Sequence, residues 1–203
     1  MSEDNLPLIA ILRGITLQEV EPVSKALFEA GVRYIEIPLN SPDPFASIEV
    51  LTGLMGQQAV CGAGTVMSVT DIEKVANCGG KLIVSPHINV DLVAAALARD
   101  MLVFPGVATV TEAITAIDAG AIHLKLFPAG DLGAGYLKSI HAVLPASVSI
   151  YAVGGIGLDD LGEFWNAGAR GFGIGGGLYR PGMAASRVFE LATQYVRAVE
   201  CLI

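Results

Sequence analysis

Three charged side chains lie in segments of the sequence that are otherwise apolar. Lys125 stands within the run HLKLF, Glu36 within YIEIPL, and Arg13 directly after LIAIL. A buried ammonium group is costly unless it is paired, solvated or neutral. Burial lowers the pKa of a lysine, and its neutral amine can attack a keto carbon to form a Schiff base. The alternative for Lys125 is a long side chain that reaches the rim of the sheet and solvent.

The other two charges suit the same carbonyl chemistry. Glu36 would shuttle protons, through a water molecule, during attack by the amine and cleavage of a carbon–carbon bond. Arg13 would bind a substrate carboxylate with two parallel hydrogen bonds, and its charge would help to keep Lys125 partly neutral. The alternative is that Glu36 and Arg13 form a structural ion pair. Thr65, after Gly62 and Gly64, could offer a hydroxyl to the same substrate or could only cap a turn.

The elements that must position these residues alternate regularly along the chain. Short continuous apolar runs, typical of strands covered on both faces, are followed by segments with helical spacing. Thr16 with Glu19 forms a capping-box pattern, and Thr111 stands near the predicted start of a helix over residues 111–119. Eight such units predict an α/β fold, a single (β/α)8 TIM barrel that occupies residues 1–203 as one catalytic domain. The alternative is an open doubly wound sheet, which is disfavoured because no GxGxxG pattern follows the first strand.

In such a barrel the active site lies at the carboxyl ends of the strands. Only charged residues within a strand or at its carboxyl end are therefore candidates for the site. Of the five lysines, three fall in predicted helices and Lys81 precedes its strand, so only Lys125 lies within one. The same reasoning leaves Glu36 as the mid-strand carboxylate and Arg13 as the strand-end arginine. Buried charges rarely stabilise a fold, so their presence favours a catalytic role.

Two glycine clusters follow the seventh and eighth predicted strands. They are Gly154 with Gly155, and Gly175 with Gly176 and Gly177. Loops at these positions of a barrel commonly bind a phosphate through backbone N–H groups, and glycine lets the backbone approach the ligand closely. The alternative is a pair of tight turns without a ligand.

The composition excludes several classes of protein. The chain of 203 residues carries a net charge of −8 and has no basic run, so we expect no binding to nucleic acid. No apolar run approaches the length of a transmembrane helix, and the acidic start does not resemble a signal peptide. The three cysteines are widely spaced, which favours reduced thiols in a cytoplasmic protein. No metal-ligand motif is present, so we expect neither a metal nor another cofactor.

Five motifs, in order along nearly the whole chain, resemble the 2-keto-3-deoxy-6-phosphogluconate / 6-phosphogalactonate aldolase family. They are IAILRG at 9–14, EIPLNSP at 36–42, GAGTV at 62–66, FPG at 104–106 and KLFP at 125–128. The resemblance implies a class I, Schiff-base aldolase that needs no metal, releases pyruvate and D-glyceraldehyde 3-phosphate, and assembles as a homotrimer. It implies that Lys125 forms the Schiff base, that Glu36 is the acid and base, and that Arg13 binds the carboxylate. It also implies substrate contacts at Asn40, Pro86 and Phe127.

The segment around Glu36 resembles the phosphogalactonate branch of this family. The phosphogluconate branch usually has a Thr-Leu-Arg-Thr continuation and a threonine before the glycine pair, where this chain has PLNS at 38–41 and Val153. These positions would face C4, where the two substrates differ in configuration. One departure is Gly176, where family members often carry a serine, so a hydroxyl is missing from the predicted phosphate site.

Three other functions remain open at the level of the sequence. The chain could prefer the phosphogluconate substrate or accept both. It could be a sugar-phosphate isomerase or epimerase, with Glu36 as base and Lys125 as an electrostatic clamp. It could also be a catalytically silent barrel that only binds a sugar phosphate.

Overall fold

The computed structural model of the protein describes residues 5–203. Its parallel strands are β1 Leu8–Ile11, β2 Tyr34–Pro38, β3 Val60–Gly64, β4 Leu82–Val84, β5 Leu102–Phe104, β6 Gly106–Val107, β7 His123–Leu126, β8 Ser149–Val153 and β9 Gly171–Ile174. The helices that follow them are α1 Leu17–Glu29, α2 Pro44–Met55, α3 Val69–Asn77, α4 Val90–Leu97, α5 Val110–Asp118, α6 Ala129–Leu132, α7 Ala134–His141, α8 Leu161–Asn166 and α9 Ala185–Glu200. A 3-10 turn, Leu158–Asp160, precedes α8.

The strands form a (β/α)8 barrel, as the sequence predicts. Their order is β5-β4-β3-β2-β1-β9-β8-β7-β6, and every pair is parallel. The segments β5 and β6 are two parts of the fifth barrel strand, separated by Pro105. Proline has no N–H to donate, which interrupts the ladder, but its carbonyl accepts a hydrogen bond of 2.9 Å from the backbone N–H of Lys125. The fifth strand therefore closes the barrel between β4 and β7.

Two apolar cores hold the barrel together. The larger core lies between the outer strand faces and the helices, and the smaller one fills the barrel interior. The interior core contains Ile9, Ile11, Tyr34, Leu82, Val84, Phe104, Tyr151 and Val153. Both faces of each strand are thus buried in apolar surroundings, which explains the continuous apolar runs in the sequence.

The local signals for the helix starts are mostly confirmed. Thr16 and Glu19 form the predicted capping box at the start of α1. Thr111 lies near the start of α5, as predicted, but the helix begins at Val110, one residue earlier than predicted, and its cap is Thr109, with Glu112 completing a capping box. The same threonine–glutamate spacing is present at 109 and 112, and the rule for Thr16 would have found it. Within residues 5–203 no helix is both long enough and apolar enough to cross a bilayer.

Candidate active site

A cavity of about 590 Å³ lies at the carboxyl ends of the barrel strands. Its walls come from β1, β2, β7, β8 and β9 and from the loops that follow them. The lining residues are Ile11, Arg13, Glu36, Lys125, Phe127, Val153, Gly154, Gly155, Ile156, Gly157, Gly173, Gly175, Gly176 and Gly177. The three charged residues that the sequence singles out therefore face one cavity.

Lys125 is buried at the base of this cavity. Lys125 is only 6% exposed, so its side chain does not reach solvent at the rim of the sheet, which was the alternative considered from the sequence. Burial lowers the pKa of Lys125, and the nearby charge of Arg13 lowers it further, while Glu36 acts in the opposite direction. The Nζ atom lies 4.5 Å from the centre of the Phe127 ring. A larger fraction of Lys125 is consequently a neutral, nucleophilic amine than for a lysine in water.

Glu36 is buried within β2, with its carboxyl group against the backbone of β3. Its side chain is 2% exposed, and burial raises its pKa to about 7, although Lys125 and Arg13 both act to lower it. The position next to it must be glycine, because a Cβ atom at Gly64 would lie 2.0 Å from a carboxylate oxygen of Glu36. A carboxyl group with this pKa can both donate and accept a proton near neutral pH.

The amine and the carboxyl group are not tied to each other. Among residues 5–203 the ion pairs join other residues, and Lys125, Glu36 and Arg13 take part in none of them. One oxygen of Glu36, Oε2, is buried without a hydrogen-bond partner. The ion pair between Glu36 and Arg13 that we considered from the sequence is therefore absent, and these groups are available to a substrate.

Arg13 is held at the mouth of the cavity by two polar side chains. Its Nη1 donates to Oδ1 of Asn40 at 2.7 Å, and its Nη2 donates to Oγ1 of Thr65 at 3.4 Å. Both partners follow the ends of neighbouring strands, β2 and β3. Because no carboxylate pairs with it among residues 5–203, this guanidinium can bind an anionic group of a ligand.

The two glycine clusters line the cavity where β8 and β9 end. Gly154 and Gly155 both have positive φ, of 90° and 74°, which only glycine adopts without strain. A Cβ atom at Gly154 would also lie 2.9 Å from the ring of Phe127. The backbone N–H groups of such loops are suited to bind a phosphate.

Some of the predicted site residues lie outside the cavity wall. Asn40 and Thr65 reach it only through Arg13, and Pro86 packs with its carbonyl group against Gly106 instead. Ser41 Oγ accepts a hydrogen bond of 2.9 Å from the backbone N–H of Gly14, which gives it a structural contact. These residues lie in loops at the same end of the barrel as the cavity, but a position in such a loop does not determine where the side chain points.

Four lining residues were not predicted from the sequence, namely Ile11, Ile156, Gly157 and Gly173. Two of them could have been found from the alternation of side chains in a strand. Ile11 lies two positions before Arg13, and Gly173 lies two positions before Gly175. Ile156 and Gly157 belong to an irregular loop, for which the sequence has no comparable period.

The sequence is similar to known aldolases over almost its whole length. A family model described as KDPG and KHG aldolase matches residues 3–186. The probable 2-dehydro-3-deoxy-6-phosphogalactonate aldolase of Rhizobium meliloti (strain 1021) is 44% identical over 196 residues, which cover 97% of this chain and 92% of that protein. The 2-dehydro-3-deoxy-6-phosphogalactonate aldolase of Escherichia coli (strain K12) is 42% identical over 196 residues, which cover 97% of this chain and 96% of that protein.

Solved structures give the same result for the fold. A native KDPGal structure superposes with a TM-score of 0.96 at 41% identity, covering 98% of this chain and 97% of that one. A designed cube-shaped cage made by fusing symmetric oligomeric domains has a TM-score of 0.95 at 42% identity and covers 97% and 73%. A KDPG aldolase from Legionella pneumophila, with pyruvate captured as a covalent carbinolamine, has a TM-score of 0.84 at 28% identity and covers 92% of both chains.

Proposed function

The chain belongs to the KDPG and KHG aldolase family, and from this we propose that it is a class I aldolase. This aldehyde-lyase cleaves 2-dehydro-3-deoxy-6-phosphogalactonate to pyruvate and D-glyceraldehyde 3-phosphate. Two relatives above 40% identity carry the name of this activity. The observation that carries the proposal is the buried Lys125, with its lowered pKa, beside a protonatable Glu36 in one cavity.

Lys125 performs the covalent chemistry. Its neutral amine attacks C2 of the substrate, the keto oxygen takes a proton, and water leaves to give an iminium ion. The C4 hydroxyl then loses its proton and the C3–C4 bond breaks, so that its electron pair moves into the enamine and the aldehyde leaves. Protonation of the enamine at C3 and hydrolysis of the iminium ion release pyruvate and restore the amine.

Glu36 moves the protons in these steps. It donates one to the departing hydroxyl of the carbinolamine and takes one from the C4 hydroxyl before cleavage. A pKa of about 7 supports both directions, because neither protonation state is costly near neutral pH. The carboxyl group packs against Gly64 and forms no ion pair among residues 5–203, so it is free to exchange protons with the substrate.

The two ends of the substrate bind to different groups that line the cavity. Arg13, held by Asn40 and Thr65, binds the C1 carboxylate. The N–H groups of the loops at Gly154–Gly155 and Gly175–Gly176 bind the phosphate on C6. This arrangement fixes C2 above Lys125.

Val153 supports the galacto preference over the gluco alternative. It lines the cavity with an apolar side chain, 4% exposed, in a position where the phosphogluconate branch usually has threonine. An apolar wall offers no hydrogen bond to a C4 hydroxyl on that side. Comparison of kcat/KM for the two C4 epimers measures the preference, and equal values would assign a dual specificity.

Trapping of pyruvate with borohydride tests the Schiff base. We expect a stable adduct that peptide mapping assigns to Lys125, and no adduct in Lys125→Met. Lys138→Met, which removes an exposed lysine on α7, is the matched control and should still be trapped. A folded wild-type protein that gives no adduct would favour the isomerase, in which Lys125 only clamps the substrate.

We further propose that the protein is a homotrimer in the cytoplasm, where phosphorylated sugar acids are retained. The trimer rests on the family resemblance and on the similarity to a domain of the designed cage, which was built from symmetric oligomeric domains. Sedimentation equilibrium measures the assembly directly, and a monomer at micromolar concentration would contradict it.

A further inference from the structure

The loop that follows β9 has an apex without side chains. The N–H groups of Leu178 and Tyr179 both donate to the carbonyl of Gly175, at 2.8 and 3.0 Å, which closes a tight turn. Gly176 and Gly177 form the cavity-facing part of this turn. A peptide unit between two glycines rotates with little steric hindrance, so its orientation needs another constraint.

Arg180 supplies that constraint from outside the cavity. Its Nε donates a hydrogen bond of 3.0 Å to the carbonyl of Gly176, and its side chain is not part of the cavity wall. The carbonyl of Gly176 and the N–H of Gly177 belong to one planar trans peptide and point in opposite directions. A carbonyl drawn towards Arg180 therefore directs the N–H of Gly177 away from Arg180, and Gly177 lines the cavity whereas Arg180 does not.

The backbone around Arg180 is itself anchored. Glu19 Oε1 accepts a hydrogen bond of 2.7 Å from the N–H of Gly182, and Pro181 packs on Gly14 so closely that a Cβ atom there would lie 2.8 Å from its Cγ. Arg180 forms no ion pair among residues 5–203. Its guanidinium thus acts on the loop rather than on a surface carboxylate.

We propose that Arg180 is a positioning residue, which orients the Gly176–Gly177 peptide so that the N–H of Gly177 donates to the substrate phosphate. This inference rests on the proposed function and deepens it. The arginine acts through the peptide, so the donor that matters is Nε and not the positive charge. It compensates for the absence of a side-chain hydroxyl at Gly176.

Two substitutions separate the hydrogen bond from the charge. Arg180→Met removes both, whereas Arg180→Gln removes the charge but keeps an N–H donor, Nε2, at the chain position of the arginine Nε. Arg99→Met is the control, because Arg99 is a half-buried arginine that also donates to a backbone carbonyl, that of Ala95, and pairs with Glu73 at the other end of the barrel. The readouts are KM and kcat for the 6-phosphorylated acid and the rate of pyruvate trapping, which involves no phosphate.

We expect Arg180→Met to raise KM for the phosphorylated acid about tenfold, with kcat and pyruvate trapping unchanged. Arg180→Gln should restore most of the lost affinity, and Arg99→Met should behave like the wild type. An unchanged KM in Arg180→Met, or a Gln variant as weak as the Met variant, would overturn the proposal. Equal losses in pyruvate trapping would also overturn it, since they would indicate general damage to the site. Wild-type protein that traps no pyruvate would instead contradict the proposed function.

Discussion

Thr65 has a strained backbone at the mouth of the site. Its φ is +54°, in the left-handed region, where a β-branched residue is an outlier that costs on the order of 1–3 kcal/mol. Glycine would adopt this conformation freely. The side chain that makes the conformation costly is the one whose hydroxyl accepts a hydrogen bond from Arg13. The strained conformation of Thr65 therefore lowers the stability of the fold but places a hydroxyl group that holds Arg13 in position.

Substitution of Thr65 should therefore separate stability from activity. We expect Thr65→Gly to raise the free energy of unfolding by about 1 kcal/mol, after the entropy of the added glycine is subtracted. The same variant should lose kcat/KM because Arg13 is less well held. Thr65→Ser keeps the hydroxyl and should retain activity. Urea unfolding and steady-state kinetics measure both effects, and a Gly variant that is less stable than the wild type would contradict the strain.

Gly64 is the residue that makes room for the carboxyl group of Glu36, the proposed acid and base. A Cβ atom there would lie about 2 Å from three atoms of the Glu36 carboxyl group, in a strand that cannot move away. We expect Gly64→Ala to displace Glu36 and to lower kcat by about 100-fold or more. Pyruvate trapping should slow as well, because Glu36 assists formation of the imine in the proposed mechanism. Gly53→Ala, on α2 with open space around it, is the matched control, and equal activity of the two variants would disprove the contact.

At the scale of elements, the short helix α6 supports the first glycine loop. The N–H of Gly130 donates to the carbonyl of Gly154 at 2.8 Å, and a Cβ atom at Gly130 would lie 2.7 Å from the carbonyl oxygen of Gly155. The helix that directly follows the lysine strand thus packs backbone against backbone on the proposed phosphate site. The same element therefore contacts the loop and follows the strand that carries Lys125.

A methyl group at Gly130 should weaken binding of the substrate phosphate without affecting the formation of the Schiff base. We expect Gly130→Ala to shift the Gly154–Gly155 loop and to raise KM for the phosphorylated acid several-fold, with pyruvate trapping retained. Gly135→Ala in α7 meets no neighbouring atom and should leave KM unchanged. Its helix should become slightly more stable, by about 0.5–1 kcal/mol. A Gly130→Ala variant with normal KM would show that the loop adapts without loss of binding.

At the scale of the whole molecule, the buried carboxyl group makes stability depend on pH. Burial raises the pKa of Glu36 to about 7 in the folded protein, above its ordinary value of 4.5. A group with a raised folded pKa favours the folded state below the unfolded pKa, and this contribution is lost as pH rises towards the folded pKa. Between about pH 4.5 and pH 7 the unfolded chain releases this proton while the folded protein keeps it, so unfolding becomes increasingly favourable.

Glu36→Gln should therefore stabilise the protein at high pH. The variant has no charge to bury, so its advantage in unfolding free energy over the wild type should increase from pH 5 to pH 8. Urea unfolding at both pH values measures it. Glu163→Gln, an exposed substitution on α8, controls for the change in net charge. An advantage of Glu36→Gln that is the same at both pH values would mean that Glu36 is not a buried acid with a raised pKa.

The sequence by itself determined the class of fold and the three charged residues of the site. Strands covered on both faces must be apolar, so Lys125 and Glu36 stood out as the exceptions within them. Alternation of such strands with capped helices allows few topologies, and eight units close into a barrel. The carboxyl ends of parallel strands all lie at the same end of a barrel, so the sequence predicts that all three residues lie at that end.

Only the tertiary structure decided how these residues meet. Whether Arg13 pairs with Glu36 or with Asn40 and Thr65 depends on distances between residues 27 and 52 positions apart in the sequence, which no local pattern encodes. The break at Pro105, the helix α6 and the exclusion of Pro86 from the cavity also depend on packing between loops. The pKa values of Lys125 and Glu36 follow from burial, which is a property of the closed barrel and not of either strand alone.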